Sequence, residues 1–340
     1  MKKKILAVLV AVGVITGLAT GCGSETKTQT TESVAESKES ADEEAETVNL
    51  KIGAQPYPLY TPVYVAKELG YLDEEFENIG ATYEWHDFKS GPLVNEAVAA
   101  GEADMGFMAD LPAIIAKSTG QDIEIVSGVA YGEKGLAVLV KPDSEINSVA
   151  DLKGKKIAYA TGSYAQHLLA LLLEQEGLSL DDVESINLGA GDQPLALESG
   201  EVDAIVIWEQ YISLLTSEGS ARVLADGTGI KKGNMVNYFV KEYAEAHPNV
   251  VNAYNKALKR ADEFLASDPN AAAEAVYEDF GVSLEVMKQI ITNFEYNTEM
   301  TEDDIAEITK VKDFSLQAGI ISNDVDMDDF INLKYLENLN

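Results

Sequence analysis

The chain has 340 residues, and its 58 acidic side chains against 25 basic ones give a formal net charge of −33 at pH 7. This charge disfavours nucleic acid and acidic lipid surfaces as partners, because both are negatively charged themselves. The only cysteine is Cys22, which excludes a disulfide bond within the chain.

Residues 1–21 have the three parts of a secretory signal peptide. A basic start, Lys2–Lys4, leads into an apolar run from Ile5 to Ala19 that is too short for a comfortable transmembrane span. Leu18-Ala19-Thr20-Gly21 then runs directly into Cys22 and resembles a bacterial lipobox, whose cysteine is lipidated and becomes the new N-terminus. The alternative is an ordinary signal peptide with an incidental cysteine.

Residues 22–47 are predicted to form an acidic, disordered tether. The segment contains Gly, Ser, Thr, Glu, Ala and Lys but no aromatic residue, so it cannot bury enough apolar surface to order itself. Flexible chain of this length spans about 25–30 Å. We therefore predict a lipid-anchored protein on the extracytoplasmic face of a cell membrane of Gram-positive type.

The body from residue 48 onwards is long enough for one large or two medium domains. A strand-like stretch at 48–54 leads through a Gly/Pro/Tyr-rich turn into a helix predicted over 61–69. About 107 residues later the pattern returns, with a strand at 156–160, a turn at 161–163 and a helix at 164–176.

Each of these units is followed by a helix that ends in the pattern Gly-Glu-x-Asp, at 101–104 and at 200–203. Glycine suits a helix end that needs a left-handed residue, and we expect the aspartate to open the short apolar strand that follows. The repetition predicts an α/β protein with two lobes of similar plan.

In open α/β sheets, ligands bind beyond the carboxyl ends of the strands, where helix N-termini point N–H groups at them. The candidate turns are 55–61, 88–92, 108–112, 160–164, 191–194 and 208–211. Catalysis is not indicated, because His86, His167 and His247 are scattered and no nucleophile elbow or phosphate loop is present. We expect no enzyme activity, no cofactor and no metal site.

Several segments, in this order along the chain, resemble ABC-transporter solute-binding proteins of the sulfonate, nitrate and taurine group (aliphatic sulfonate-binding, NMT1-like). They are 65–72, 90–107, 149–158, 204–211, 222–229 and 243–248. The resemblance implies a two-lobed, periplasmic-binding-protein-like fold of type II with two crossing hinge strands. It also implies closure on a small molecule and delivery to a permease driven by a cytoplasmic ATPase.

Type II connectivity would place residues 48–136 and 235–340 in lobe I, and residues 137–234 in lobe II. The C-terminal part is helical in pattern, at 248–267, 269–277, 284–294 and 302–317. We expect these helices to pack on lobe I and the protein to be a monomer.

The ligand that this resemblance implies is a small organic anion, an alkyl or amino sulfonate such as taurine. The two arginines, Arg222 and Arg260, lie outside the candidate turns, so a guanidinium clamp is not expected. Backbone N–H groups and hydroxyls in the turns would donate instead, and Lys89 and Lys134 could add positive charge. Asp110 and Glu209 would suit the ammonium group of an amino sulfonate, although helix capping explains Asp110 equally well.

Aromatic residues in or near the turns could form walls for the organic part of the ligand, or could simply belong to the core. Two of them are Tyr60 and Tyr211, and the others are among the predicted contacts given at the end of this paragraph. Trp208 is the aromatic residue that we favour as a contact. The predicted contacts are Gln55, Tyr57, Ser90, Gly91, Asp110, Tyr131, Thr161, Gly162, Ser163, Tyr164, Trp208 and Glu209.

Other ligands and another role stay open at this point. Nitrate, bicarbonate or an aminopyrimidine thiamine precursor could bind to the same fold, and a surface lipoprotein could sense its ligand without transport. A related pyrimidine-forming enzyme family uses a cysteine-rich segment, which this chain lacks.

Overall fold

The computed structural model of the protein describes residues 47–337 and residue 339. The predicted signal peptide, Cys22 and all of the predicted tether except Thr47 lie outside the described residues. Within the described part of the chain, no helix is both long enough and apolar enough to cross a membrane.

The first of two sheets has six strands in the order β11-β4-β10-β3-β1-β2. β1 pairs in parallel with β2 and β3, whereas β10 runs antiparallel to β3 and β4. The strands are β1 (Asn49–Ala54), β2 (Thr82–Asp87), β3 (Met105–Ala109), β4 (Ile123–Tyr131), β10 (Met235–Val240) and β11 (Glu295–Tyr296).

The second sheet has five strands in the order β7-β6-β8-β5-β9. β6 pairs in parallel with β7 and β8, and β5 runs antiparallel to β8 and β9. The order β7-β6-β8-β5 thus repeats β2-β1-β3-β10, which confirms two units of similar plan. The strands are β5 (Leu136–Val140), β6 (Lys156–Tyr159), β7 (Glu184–Asn187), β8 (Ala204–Trp208) and β9 (Arg222–Asp226).

Thirteen α-helices lie in the described part of the chain. Several of them form the crossover connections between parallel strands. Those between β1 and β9 are α1 (Thr61–Glu68), α2 (Tyr71–Glu77), α3 (Gly91–Ala99), α4 (Asp110–Ser118), α5 (Tyr164–Gln175), α6 (Gln193–Ser199) and α7 (Tyr211–Ser217). The later ones are α8 (Lys241–Ala246), α9 (Pro248–Ser267), α10 (Pro269–Val276), α11 (Leu284–Ile290), α12 (Glu302–Gln317) and α13 (Met327–Phe330).

The C-terminal helices pack mainly on the six-stranded sheet and its helices, but α11 also lies against α7, which follows β8 of the five-stranded sheet. α9 lies against α1 and α2, and α12 lies against α4. Along α9, Val250, Val251, Tyr254 and Leu258 are fully buried on one face, which is the spacing of an amphipathic helix. α11 ends earlier than predicted, at Ile290, and continues as a short 3-10 helix.

The two Gly-Glu-x-Asp patterns fold in the same way. Gly101 and Gly200 both end a helix in the left-handed conformation, with φ of 73° and 79°. The carboxylate of Asp104 then accepts from the backbone N–H of Lys51 at 2.9 Å, and that of Asp203 from the N–H of Lys156, also at 2.9 Å. Each aspartate therefore ties the start of its strand to the neighbouring parallel strand.

We call the six-stranded sheet with its helices the first lobe, and the five-stranded sheet with its helices the second lobe. The chain passes between them at residues 132–135 and 227–234, which we call the crossing segments. These lie side by side: the Gly132 N–H donates to the Lys232 carbonyl at 3.0 Å and the Gly227 N–H to the Glu133 carbonyl at 2.9 Å. The lobe boundaries at 136/137 and 234/235 stay a prediction.

Candidate functional site

A small cavity lies between the two lobes, at the carboxyl ends of the strands. It is bounded by the turns after β1, β3 and β8, and by the N-terminal ends of α3 and α5. Its volume is about 20 Å³, which is room for roughly one water molecule. We call it the aromatic pocket; its lining is Gln55, Tyr57, Leu59, Tyr60, Ser90, Gly91, Pro92, Ala109, Pro112, Ser163, Tyr164 and Trp208.

Three aromatic rings meet across the aromatic pocket. Tyr57, from the first lobe, points its edge at Trp208, from the second, with ring centroids 5.7 Å apart. Tyr164 lies on the other side of Trp208 at 5.8 Å. Such edge-to-face and tilted pairs are attractive arrangements for aromatic rings. The rings therefore hold the two lobes in contact.

The polar atoms of these rings differ in their partners. The Tyr57 hydroxyl donates to the Lys89 carbonyl at 2.8 Å, and burial raises its pKa. The Trp208 Nε1–H is buried and has no hydrogen-bond partner among the described residues. An indole N–H can only donate, so its missing partner has to be an acceptor.

Two helices begin at the aromatic pocket. Ser90 precedes α3, and its side chain makes no capping hydrogen bond to the helix. Gly91 packs so closely that a Cβ there would lie 3.0 Å from the ring of Pro112. At α5, the Ser163 hydroxyl donates to the Ala160 carbonyl at 2.6 Å. Both helix ends present partial positive charge to the pocket.

The turn before α5 is held by its own hydrogen bonds. The Thr161 N–H donates to Asn187 Oδ1 at 3.0 Å, and the Gly162 N–H donates to Gln166 Oε1 at 2.9 Å. Gly162 has φ of 75°, a left-handed conformation that glycine adopts without strain. Thr161 and Gly162, which we predicted as donors to a ligand, do not line the aromatic pocket, and these two N–H groups are already used.

Asp110 lies on the other side of the interlobe region, at the first residue of α4. Its carboxylate accepts from the Leu111 N–H at 2.7 Å and from Lys231 Nζ at 3.0 and 2.8 Å. Lys231 Nζ also lies 2.9 Å from His167 Nδ1. Burial, and then the positive charge of Lys231, hold the pKa of His167 well below its usual value.

A second cavity of about 200 Å³ adjoins this cluster, and we call it the hinge cavity. It lies between α4, α5, α12 and the second crossing segment. His167 Nε2 and Asn234 Nδ2 are buried there without a partner in the described part of the chain. The lining is Asp110, His167, Leu171, Ile230, Lys231, Lys232, Gly233, Asn234, Glu307, Lys310, Val311 and Phe314.

Glu209 follows β8 directly, and its carboxylate is already hydrogen-bonded. It accepts from the N–H and the hydroxyl of Ser213 at 3.0 and 2.9 Å, and from Asn293 Nδ2 at 3.1 Å. Burial raises its pKa. Asn293 belongs to the C-terminal part of the chain, so this bond is a further link between the lobes.

The matches with known proteins agree with this architecture. The family model described as "NMT1/THI5 like" matches residues 57–272, which is more than half of the chain. The chain belongs to the NMT1/THI5-like family.

Three relatives of this NMT1/THI5-like protein are binding proteins. The "Putative aliphatic sulfonates-binding protein" of Bacillus subtilis is 30% identical over 290 residues, 85% of this chain and 87% of that protein. The "Taurine-binding periplasmic protein" of Escherichia coli is 27% identical, over 67% and 69% of the two chains. The alkanesulfonate-binding protein SsuA from Xanthomonas axonopodis, bound to MOPS, superposes with a TM-score of 0.77 at 28% identity, covering 85% and 99%.

An enzyme is also among the proteins that match this member of the family. The 4-amino-5-hydroxymethyl-2-methylpyrimidine phosphate synthase of Aspergillus parasiticus is 26% identical over 285 residues, 78% of this chain and 81% of that protein. The structure of this chain shows no cluster of three or more metal-ligating side chains among the residues that it describes. The cysteine that could act as a nucleophile, Cys22, lies outside them.

The structure brings seven of the predicted contacts together in the aromatic pocket: Gln55, Tyr57, Ser90, Gly91, Ser163, Tyr164 and Trp208. Tyr131 lies elsewhere, at a wide groove on the outer side of the crossing segments, where Lys232 Nζ sits 4.2 Å from its ring centroid. Its hydroxyl is bonded to Glu295.

Lys231 and His167 were not predicted as a pair. Two signals could have found them. Lys231 and Lys232 are adjacent lysines in a very acidic chain, just before β10. His167 lies in the first turn of the helix that follows the Thr-Gly-Ser turn, so it had to lie near the interlobe region. Their contact joins residues 64 positions apart, which no local pattern reveals.

Proposed function

We propose that this protein is the extracytoplasmic solute-binding component of an ABC importer, and that it captures a small organic sulfonate between its two lobes. The observation that carries the proposal is the buried, unpartnered Trp208 Nε1–H at a pocket that both lobes line. A sulfonate oxygen is an acceptor of the kind that this donor lacks. The sulfonate- and taurine-binding relatives support the same class of ligand.

The sulfonate would be bound by dipoles rather than by a basic side chain, since none of the described residues that line the aromatic pocket is charged. A helix N-terminus stabilises an anion by typically 0.3–1 kcal/mol, and by up to about 2 kcal/mol when partly buried. The N-terminal ends of α3 and α5, the Ser90 hydroxyl and Trp208 Nε1 together provide such an environment. Tyr57 and Tyr164 would contact the organic part of the ligand.

Entry of the ligand requires the lobes to part. A cavity of about 20 Å³ is far too small for a sulfonate group, and Tyr57 and Trp208 close it from opposite lobes. Rotation about the two crossing segments would separate these rings, and closure on the ligand would bring them back against it. This hinge motion is a common way for two-lobed binding proteins to sequester a ligand.

An alkyl sulfonate fits the site better than an amino sulfonate. We considered Asp110 and Glu209 as partners for an ammonium group, but Lys231 already neutralises Asp110, and Glu209 is bound by Ser213 and Asn293. A ligand ammonium group would have to displace one of these partners. We therefore propose an unsubstituted alkanesulfonate as the preferred ligand, and taurine as a weaker one.

We propose that the protein is not an enzyme. The aromatic pocket is lined by hydroxyl, amide and aromatic side chains, and none of the described residues in its lining is a histidine, a cysteine or a carboxylate. The serine and tyrosine hydroxyls of the lining would need an adjacent general base, such as one of these groups, to act as nucleophiles. Anchoring through a lipid on Cys22, delivery to a permease and a monomeric state belong to the same proposal.

Isothermal titration calorimetry on the purified protein tests this function. The panel is ethanesulfonate, butanesulfonate, taurine, nitrate, bicarbonate and 4-amino-5-hydroxymethyl-2-methylpyrimidine. We expect the alkanesulfonates to bind with the highest affinity. Binding of the pyrimidine, nitrate or bicarbonate but of no sulfonate would contradict the ligand and leave the solute-binding role standing; binding of none of them would contradict both.

A further inference from the structure

Lys231 connects three parts of the protein that meet between the lobes. It belongs to the second crossing segment, and its Nζ contacts Asp110 of α4 in the first lobe and His167 of α5 in the second. The side chains of Lys231 and Asp110 are only 2% and 1% exposed. A lysine ammonium group has three hydrogens, and these two Asp110 oxygens and one histidine nitrogen can use all three.

The two contacts of Lys231 differ in what lobe motion does to them. The end of the second crossing segment is fixed to the first lobe, because the Asp110 N–H donates to the Asn234 carbonyl at 3.0 Å and Lys232 forms ion pairs with Asp303 and Asp304 of α12. We therefore expect Lys231 to stay with Asp110 when the lobes part, although its own N–H donates to the Gly227 carbonyl at 2.9 Å. His167 belongs to the second lobe, so opening would break the contact between Lys231 and His167.

The contact requires a neutral His167. Lysine can only donate, so Nδ1 of the imidazole must accept and cannot carry a proton. A protonated ring would place a second positive charge 2.9 Å from Lys231 Nζ. The ring also packs on Phe314, at 4.8 Å between centroids, and His167 is only 3% exposed. The other charged groups that face it across the hinge cavity are Asp110, Lys232, Glu307 and Lys310.

We propose that Lys231 and His167 are positioning residues that hold the lobes closed, and that uptake of one proton by His167 favours opening and thereby ligand release. Neither residue lines the aromatic pocket, so both would act on the ligand through the closed arrangement of the lobes. The link between opening and ligand release rests on the proposed function; the link between the proton and opening does not.

The direction of the pH effect follows from linkage. In the closed form the pKa of His167 lies well below its usual value of 6.5, because of burial and Lys231. Opening exposes the ring and brings its pKa back toward about 6.5. The open form therefore binds the proton more tightly. The contribution of neutral His167 to the closed form is fully present above about pH 6.5 and decreases as the pH falls below it. From pH 7.5 to pH 5.5 the ratio of closed to open protein falls about tenfold for one proton.

Burial also raises the pKa of Glu209 and of Asp262, and the effect of each can be told apart from that of His167. Glu209 also bridges the lobes, but burial raises its pKa, so it would make acid favour the closed form, which is the opposite sign. Asp262, with a pKa of about 6, contacts Thr298 within the first lobe and does not sense opening.

The fluorescence of Trp208 reports opening without any ligand. The chain has two tryptophans, so Trp85→Phe leaves Trp208 as the single reporter at the contact between the lobes. In that background we expect the emission to shift to longer wavelength between pH 7.5 and pH 5.5, as the indole becomes exposed to water. His167→Asn keeps an acceptor near the Nδ1 position but cannot titrate there, and should abolish the shift.

His86→Asn is the matched control, because His86 is exposed at the edge of the first sheet beside Glu84. It should leave the shift intact. An emission that does not depend on pH, or a shift that persists in His167→Asn, would overturn the proposal. Far-ultraviolet circular dichroism at both pH values shows whether each variant is folded. If the asparagine variant fails to fold, His167→Gln provides a second non-titrating variant.

Butanesulfonate titrations then test the consequence for binding. We expect its Kd to rise about tenfold from pH 7.5 to pH 5.5 in the unmodified protein and to stay nearly constant in His167→Asn. A pH-dependent emission with no sulfonate binding at any pH would contradict the proposed ligand and support the proton-linked opening. A Kd that rises equally in both proteins would contradict the role of His167 in release.

Discussion

Tyr57 and Trp208 come from different lobes and meet edge to face, with 5.7 Å between their ring centroids. Their side chains are separated by 151 positions in the chain, yet both are about as buried as core residues, at 8% and 5% exposure. Trp208 lines the aromatic pocket, and its Nε1–H is buried without a protein partner in the described residues. A buried polar atom without a partner calls for an explanation, and a bound acceptor provides one.

Replacing Trp208 by phenylalanine separates the N–H from the ring. Trp208→Phe keeps an aromatic contact with Tyr57 and Tyr164 but removes the donor. If Nε1 binds a sulfonate oxygen, the Kd for butanesulfonate should rise about tenfold to a hundredfold, the effect of losing a hydrogen bond to a charged group. Isothermal titration calorimetry measures it.

The matched control is Trp85→Phe, a tryptophan that stacks on Tyr64 and Phe107 inside the first lobe. Its effect on ligand affinity should be small. Equal losses of affinity in both variants would indicate a general structural effect and contradict the placement of the ligand at Trp208.

The buried pair of Asp110 and Lys231 predicts an asymmetric effect on stability. Lys231→Met leaves the Asp110 carboxylate buried without a cation, which should lower the free energy of unfolding by about 3–5 kcal/mol. The double variant Asp110→Asn/Lys231→Met removes both charges and should recover most of that loss. Urea unfolding at pH 7.5 measures both; a double variant as unstable as Lys231→Met would contradict the pairing.

The two aspartates of the repeated pattern make the same contact in different surroundings. Asp104 and Asp203 each accept from a backbone N–H of the neighbouring parallel strand at 2.9 Å, but the bond of Asp104 is partly buried and that of Asp203 is exposed. Asp104→Ala should lower the free energy of unfolding by about 1–3 kcal/mol, the cost of leaving a buried donor unsatisfied. Asp203→Ala should lower it by less, because water can replace the exposed carboxylate. Glu102→Ala, inside the same pattern but exposed, is the control and should change it by less than about 0.5 kcal/mol.

Much of this fold could be predicted from local patterns, because strand, turn and helix are encoded within a few residues. The helix at Tyr164 and the left-handed glycines of the Gly-Glu-x-Asp pattern are examples, and the repetition of that pattern indicated two similar lobes. The location of the aromatic pocket could be predicted in part, because strand-to-helix turns converge at the strand ends. Tyr57, Ser90 and Trp208 were found in this way.

The rest depended on pairings across the chain. Whether a carboxylate is free for a ligand is decided by its partners, and the partners of Asp110 and Glu209 include Lys231, 121 positions away, and Asn293, 84 positions away. No local pattern specifies such pairs. Tyr131 was predicted to line the cleft, but it lies at the end of β4 beside β11, with its hydroxyl bonded to Glu295.

The second crossing segment should tolerate substitution at Gly229 but not at Gly227. A Cβ on Gly227 would lie 2.5 Å from the Glu133 carbonyl oxygen and 2.9 Å from that of Lys231, both backbone atoms that cannot turn aside. Gly227→Ala should therefore lower the free energy of unfolding by about 1–3 kcal/mol. Gly229→Asn is the matched variant, since its surroundings are open and asparagine tolerates the left-handed φ of 68°.

Asp262 should make the protein less stable as the pH rises, because folding raises the pKa of its carboxyl group. A carboxylate whose pKa is lowered by folding has the opposite effect. Burial raises its pKa from 3.8 to about 6, and its Oδ1 is buried with no partner that the described residues provide. The folded protein thus binds this proton more tightly than the unfolded chain does. The contribution is fully present below about pH 3.8 and is lost as the pH rises through about 6.

The two pKa values differ by about two units, which corresponds to roughly 3 kcal/mol at most. Asp262→Asn keeps an oxygen that can accept from the Thr298 N–H and removes the charge, so it should raise the free energy of unfolding at pH 8 by about 1–3 kcal/mol and change it little at pH 4. Glu263→Gln, the exposed neighbour, is the control and should change the free energy of unfolding little at either pH. Urea unfolding at the two pH values measures these effects. If Asp262→Asn raises the free energy of unfolding equally at pH 4 and pH 8, the charge of Asp262 is not the cause.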